Sequence, residues 1–267
     1  MGDDAASRAG LHAAPRARLY AAPRSAMSPR AFRISQHVPE NPRTFSLLLE
    51  AIGADDRLEA QPGQFVMLWL PGVDEKPFSI AGVHPLMLTI SRVGPLSQAI
   101  ADLPVGEKVW VRGPFGKGYS LAAARTLLVG GGYGAAPLHF LASVLRSRKV
   151  AVEIALGARA SDDLLFVKRF AALGIPCHLA TEDGSRGARG RVTEVVRPLL
   201  ASGGFGRLCA CGPEAMLEAL ADLCRESRIP AELSYEAYMR CGIGICGSCE
   251  CRHGLVCRDG PVFSLEP

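Results

Sequence analysis

The feature that most constrains this chain stands near its C-terminal end: Cys241-Gly-Ile-Gly-Ile-Cys246-Gly-Ser-Cys249, with Cys257 following after seven further residues. C-x4-C-x2-C with a more distant fourth thiol is the plant-type spacing of a [2Fe–2S] centre, which four thiolates hold. Gly242, Gly244 and Gly247 let the backbone wrap tightly, with positive φ where the turn needs it. Their N–H groups can then face sulfur, which stabilises an added electron. Structural zinc is the competing chemistry. Zinc knuckles usually come as two well-separated C-x2–4-C pairs, whereas this stretch has one short knuckle. A disulfide framework suits secreted domains, and nothing else here points to secretion. Cys251 competes with Cys257 as fourth ligand, but a C-x-C bite from Cys249 is cramped, which favours Cys257.

A bound centre needs an electron source or sink, and 267 residues leave room for two domains besides the cysteine segment. The formal net charge of +4 is too mild to argue for nucleic acid. Nine cysteines without a secretory signal point to a reducing compartment, here the cytoplasm. The uncharged run between Arg125 and Arg146 is broken by Gly130, Gly131, Gly132, Gly134 and Pro137. It reads as strand, turn and helix, so no transmembrane segment is expected. Residues 1–29 are rich in Ala, Arg, Pro and Ser and are expected to be disordered. They suit either a transit-type leader, against which Asp3 and Asp4 speak, or an upstream extension before a true start at Met27.

Between 30 and 121 the pattern is of short β segments with Gly and Pro punctuation. The candidates are Phe32–Val38, Thr44–Glu50, Gln64–Leu70, Phe78–Ala81, Leu86–Val93 and Lys108–Arg112, with one helix at Ser97–Leu103. Six such strands predict a small antiparallel β-barrel. From 122 to 230 the rhythm becomes β/α. Strands are predicted at Thr126–Val129, Val150–Leu156, Pro176–Ala180 and Arg207–Ala210. Helices are predicted at Ala135–Arg146, Asp162–Leu173, Val192–Ala201 and Pro213–Glu226. That alternation implies a doubly wound parallel α/β sheet with a nucleotide site at its strands' carboxyl ends. Residues 231–267 then open with a lead-in, Ala231–Tyr238, and form the small cysteine-loop domain.

Three motifs carry the remaining chemistry. In Val129-Gly-Gly-Gly-Tyr-Gly-Ala-Ala-Pro-Leu138 a hydrophobic strand runs through glycines into a helix. Bare N–H groups and a helix N-terminus there suit a dinucleotide pyrophosphate, although such glycines also serve plain strand–helix packing. The G-x-G-x-x-G fingerprint of a simple Rossmann dehydrogenase is absent. In Cys211-Gly212-Pro213-Glu214 a second strand ends at the same edge of the sheet, or merely turns with proline at the first helical position. In Lys76-Pro77-Phe78-Ser79 a cation, an aromatic ring and a hydroxyl sit together, suited to a phosphate, a flat ring and a ring nitrogen. Gly94-Pro-Leu96-Ser97 and Gly113-Pro-Phe-Gly116-Lys-Gly118-Tyr119 follow it. Singly, each has a plain structural explanation.

In this order the motifs resemble the ferredoxin–NADP reductase superfamily, whose flavin barrel bears R-x-[FY]-[ST] and whose nucleotide domain bears G-G-G-x-G-x-x-P and C-G-P. With the C-terminal cysteines and Cys257-Arg-Asp-Gly-Pro-Val-Phe263, the chain from about Arg30 onward resembles the electron-transfer subunit of type B dihydroorotate dehydrogenase. Thr181-Glu-Asp-Gly-Ser185 and Gly190-Arg-Val-Thr193 match the same family's nucleotide domain. The resemblance implies FAD, a [2Fe–2S] cluster and NAD(H), with electrons passing in pyrimidine biosynthesis between NAD and an FMN-containing catalytic partner. A heterotetramer of two plus two is implied. Carried over by position, Lys76, Pro77, Phe78, Ser79, Gly94, Leu96, Ser97, Gly116, Gly118 and Tyr119 lie on the FAD side. Lys76 stands where the family usually has arginine, so it keeps the charge and loses the planar fork. Gly131, Gly132, Gly134, Cys211, Gly212 and Glu214 lie on the nicotinamide side, and Cys241, Cys246, Cys249 and Cys257 hold the metal. No catalytic acid–base set is expected in this chain, and His139 reads as a packing residue. Arg159 suits either a 2′-phosphate or a helix cap, and the resemblance favours NAD. The diaphorase subunit of a cytosolic hydrogenase or sulfite reductase shares the same core. A non-enzymatic metal-binding or redox-sensing module is the alternative of another class.

Overall fold

A computed structural model describes residues 24–53 and 57–266. The chain enters through one helical turn, α1 (Arg24–Met27), whose Ala26 is buried against Phe65, Met67 and Phe115. The disorder expected over residues 1–29 does not extend to Arg24–Met27, which form this turn. Ala26 is small enough to seat in an apolar hollow. Residues 1–23 lie outside the described residues.

The barrel strands are β1 (Arg30–Asn41), β2 (Thr44–Ala51), β3 (Phe65–Leu70), β4 (Asp74–Val83) and β5 (Leu86–Ser91). Helix α2 (Pro95–Asp102) then precedes β6 (Lys108–Phe115). They close in the order β1-β2-β5-β4-β3-β6, each pair antiparallel. Closure follows from patterning: Val109 and Val111 of β6 join the barrel core while Lys108, Trp110 and Arg112 are more open. Phe32, Ile34, Leu47, Leu68, Leu88 and Val111 fill the interior.

The next strand, β7 (Thr126–Gly131), is buried along its whole length, as a parallel strand covered on both faces must be. It is followed by α3 (Ala135–Ser147), β8 (Val152–Ala158), α4 (Val167–Ala172), β9 (Cys177–Thr181) and the two-residue β10 (Ala188–Arg189). Then come α5 (Val192–Ala201), β11 (Arg207–Cys211), α6 (Glu214–Ser227) and β12 (Ala231–Ser234). The predicted helix over Asp162–Leu173 is a correction. A 3-10 turn at Ser161–Asp163 is followed by extended Leu164, and Phe166 adopts φ +65 before α4 begins. Across the break Leu165 and Phe166 both enter the core at 4% exposure. The left-handed residue costs roughly 1–2 kcal/mol, which burying two large side chains outweighs.

The chain closes with a hairpin of β13 (Glu250–Cys251) and β14 (Gly254–Leu255), a turn α7 (Val256–Asp259), and β15 (Val262–Leu265). The sheet order is β10-β9-β8-β7-β11-β12-β15, with β15 antiparallel to β12 and the rest parallel. The cysteine segment is thus a loop between β12 and β15, tied to the sheet at both ends. Among the described residues no helix is long and apolar enough to cross a membrane.

Candidate redox site

Helix α3 joins barrel and sheet. Its Phe140 belongs to the barrel core, while Ala81 and Met87 of the barrel belong to the core beneath the sheet. His139 lies between Phe166 and Phe170 at 5.4 and 5.7 Å, and burial holds its pKa below the usual histidine value. It is a packing residue.

Beside this junction a cleft of about 250 Å³ opens where all three parts of the chain meet. The barrel contributes Phe65, Pro77, Phe78, Ser79, Thr89 and Ser91, and Val93 follows from the loop after β5. The carboxyl edge of the sheet contributes Tyr133, Gly134, Pro137 and Cys211, and the cysteine segment's approach contributes Tyr235, Glu236 and Met239. Largely apolar walls with a few hydroxyls suit a flat heteroaromatic ring, which is the fit expected of a flavin against a nicotinamide. Tyr133 donates its hydroxyl to Glu236 Oε2 at 3.2 Å across the rim. The Glu236 carboxylate, helped by burial, pushes the Tyr133 hydroxyl up to about 12. Glu236 itself is raised, first by burial. Full burial pushes the Cys211 thiol up to about 12, so it faces the cleft as a neutral, weakly polar surface.

The glycines explain how the two strand ends come together. A Cβ on Gly134 would stand 2.2 Å from the Cys211 carbonyl oxygen, and one on Gly131 would stand 2.8 Å from Pro213 and Met216. Gly212 lies 3.1 Å from the Gly131 backbone on the same measure, whereas Gly132, at φ +53, faces open space. Glu214 is exposed in the first turn of α6. Gly94 opens α2 at the edge of the cleft, and buried Ser97 Oγ accepts the Val93 and Gly94 amides at 3.0 Å. Leu96 is part of the barrel core.

Other sequence-selected residues lie elsewhere. Lys76 pairs with Asp74 at 2.8 Å and stands 5.4 Å over the Tyr238 ring instead of lining the cleft. Gly116 packs under Gly260 and Pro261, and Gly118 under Pro62. Buried Tyr119 donates its hydroxyl to the Ala210 carbonyl at 2.9 Å, tying the barrel's exit to β11. Sequence reasoning missed Phe65, Tyr133, Glu236 and Met239 at the cleft. Of these only Tyr133 sat inside a recognised motif.

The cysteine loop packs directly on the barrel. Cys249, Cys257, Met239 and Val256 share an apolar cluster with Phe65, Met67 and Phe115. Gly242, Gly244 and Gly247 all have positive φ, from 73 to 80. The Gly244 amide donates to Cys257 Sγ at 3.1 Å, the Ile243 amide to Cys241 Sγ at 3.5 Å, and the Cys257 amide to Cys249 Sγ at 3.5 Å. Cys249 Sγ lies 3.2 Å from Cys257 Sγ, and Cys246 Sγ lies 3.4 Å from the Ser248 hydroxyl. The Ser248 hydroxyl and amide, with Cys241, pull exposed Cys246 down to about 6. Among the described residues no three Cys, His, Asp or Glu side chains gather as a single-ion site. Four thiols on one short loop, with backbone amides donating to Cys241, Cys249 and Cys257, suit a two-iron centre. Cys251 Sγ instead takes the His253 amide at 3.4 Å within its own hairpin.

Comparison with known proteins agrees with this geometry. Residues 236–267 match the iron-sulfur cluster binding domain of dihydroorotate dehydrogenase B. A Methanopyrus kandleri protein named "Probable dihydroorotate dehydrogenase B (NAD(+)), electron transfer subunit" is 44% identical over 209 residues, covering 77% of this chain and 80% of that protein. A Methanocaldococcus jannaschii protein of the same name is 37% identical over 238 residues, covering 88% and 89% of the two chains. Among solved structures, one reported for an NADH-dependent reduced ferredoxin-NADP oxidoreductase superposes with a TM-score of 0.77 at 28% identity, covering 87% of each chain. Similarity at this level over most of each relative's length has one consequence: the chain belongs to the family of dihydroorotate dehydrogenase B electron transfer subunits.

Proposed function

We propose that this chain carries electrons between the catalytic subunit of a dihydroorotate dehydrogenase and NAD, as its family name implies, and that the partner holds FMN. The observation that carries the proposal is the placement of Phe65. It is at once a wall of the cleft and a member of the apolar cluster that buries Cys249 and Cys257. One side chain therefore separates the ring site from the thiol site, with no solvent gap required between them. We assign FAD to residues 30–121, the pyridine nucleotide to 122–230 and the [2Fe–2S] centre to 231–267, in an assembly of two subunits of each kind in the cytoplasm.

When bound, FAD supplies the exchange between hydride and single electrons, and the cluster supplies one-electron carriage. The chain's own residues do the rest. Phe78 and Phe65 provide flat apolar walls, and Ser79 offers a hydroxyl to a ring heteroatom. Pro137, Ala136 and the neutral Cys211 keep water from the face where hydride would pass. Gly131, Gly134 and Gly212 let the two strand ends close to the spacing that orients the nucleotide. Cys241, Cys246, Cys249 and Cys257 would hold the cluster. Two of these are buried against the barrel, while Cys246 is exposed beside Ile245, itself 78% exposed, giving the partner an open side.

The test is anaerobic titration with NADH after reconstitution with FAD, iron and sulfide. Bleaching of the flavin together with the paramagnetic signal of a reduced two-iron cluster supports the proposal. One iron per chain, or a flavin that NADH does not bleach, overturns it.

A further inference from the structure

Glu75 on β4 and Arg112 on β6 reach across β3, which lies between their strands. Arg112 Nε and Nη2 donate to Glu75 Oε1 and Oε2, both at 2.7 Å. The same Nη2 also donates to the backbone carbonyl of Cys241 at 3.3 Å. The guanidinium lies 5.7 Å from the Phe115 ring, which packs in the cluster with Cys249 and Cys257. The two side chains are only 16% and 24% exposed, below the 38% and 46% of the neighbouring Lys76–Asp74 pair on β4. A bidentate pair with little solvent access holds its geometry, and arginine keeps its charge under all ordinary conditions.

We infer that Arg112 is a positioning residue for the two-iron centre, fixing the Cys241 backbone and raising the centre's reduction potential, with Glu75 limiting that effect. This inference rests on the function proposed above. Reduction adds one negative charge to the centre, so a nearby fixed cation favours the reduced form and a nearby carboxylate opposes it. Limited access to water keeps both effects from being fully screened. An arm serving only as a mechanical brace would behave differently. Loosening it from either end would disturb the Cys241 loop in the same sense.

The experiment measures the midpoint potential of the reconstituted full-length chain by redox titration followed by electron paramagnetic resonance, with iron counted separately. Arg112→Gln removes the cation and is expected to lower the potential. Glu75→Gln keeps the shape, removes the opposing charge and is expected to raise it. Arg112→Lys keeps the charge and is expected to stay close to the wild type. Opposite shifts from the two halves of one ion pair support the inference, whereas shifts of the same sign, or no shift, overturn it. If Arg112→Gln does not fold, Glu75→Gln decides alone: a rise supports the inference and a fall or no change overturns it. A wild-type chain that assembles no two-iron centre overturns the proposed function and this inference together. A loaded wild type with an unmoved Glu75→Gln overturns this inference only.

Discussion

Cys251 and Cys257 differ in what their neighbours offer. Cys257 Sγ receives the Gly244 amide and touches Cys249, whereas Cys251 receives only its own hairpin's bond among those described for it. Cys251→Ser is therefore expected to retain two irons per chain and Cys257→Ser to lose them, as iron analysis and the visible spectrum will show. Gly244, at φ +80, has Arg258 2.9 Å from the place its Cβ would occupy. Gly244→Ala is expected to cost about 1–2 kcal/mol from the left-handed conformation alone. The loss should appear as a lower unfolding midpoint and weaker cluster retention. At this scale the sequence was informative wherever chemistry is local, because thiol spacing and interleaved glycines share one short loop. Glu75 and Arg112 were not readable as a pair. They lie 37 residues apart and meet only because the barrel closes.

Helix α3 shows what an element can carry. It lends Phe140 to the barrel and His139 to the packing around Phe166 and Phe170, so one helix holds two cores together. Burial lowers the His139 pKa, so the folded state favours the neutral ring. The unfolded chain protonates near the ordinary value of about 6.5. The unfolded state therefore binds more protons between the lowered value and 6.5, and stability must fall as pH drops through that window, then level off. Urea unfolding between about pH 7 and 5 should show this decline, and His139→Phe should flatten it. The regular β/α rhythm that yields α3 was legible, since strand and helix periods differ and Gly or Pro marks each change. The break at Phe166 was not, because Leu164, Leu165 and Phe166 suit a helix locally and leave it only to reach a core built by other elements. Strands β10, β13 and β14 have two residues each, too few for any pattern to register.

For the molecule as a whole, the cleft depends on three parts staying in register. Gly134→Ala would push the glycine turn from the Cys211 carbonyl, now 2.2 Å from its would-be Cβ. About 1–3 kcal/mol of destabilisation is expected from such overpacking, together with a higher KM for NADH. The motif order already pointed to barrel, sheet and cysteine loop, but not to the way the last strand, β15, returns to pair with β12. That return brings Pro261 to the cleft beside Tyr235, Glu236 and Met239, which follow β12, and it depends on long-range pairing, which no local pattern reports. As an electron transfer subunit, the chain is proposed to pass electrons between a dihydroorotate-oxidising partner and NAD. The most direct measurement is anaerobic dihydroorotate-dependent NAD⁺ reduction with the organism's own catalytic subunit, with and without this chain. Activity is expected only when both are present, and Cys246→Ser is expected to abolish it while NADH still bleaches the flavin. No activity from a mixture in which FAD and cluster are demonstrably loaded would contradict the account.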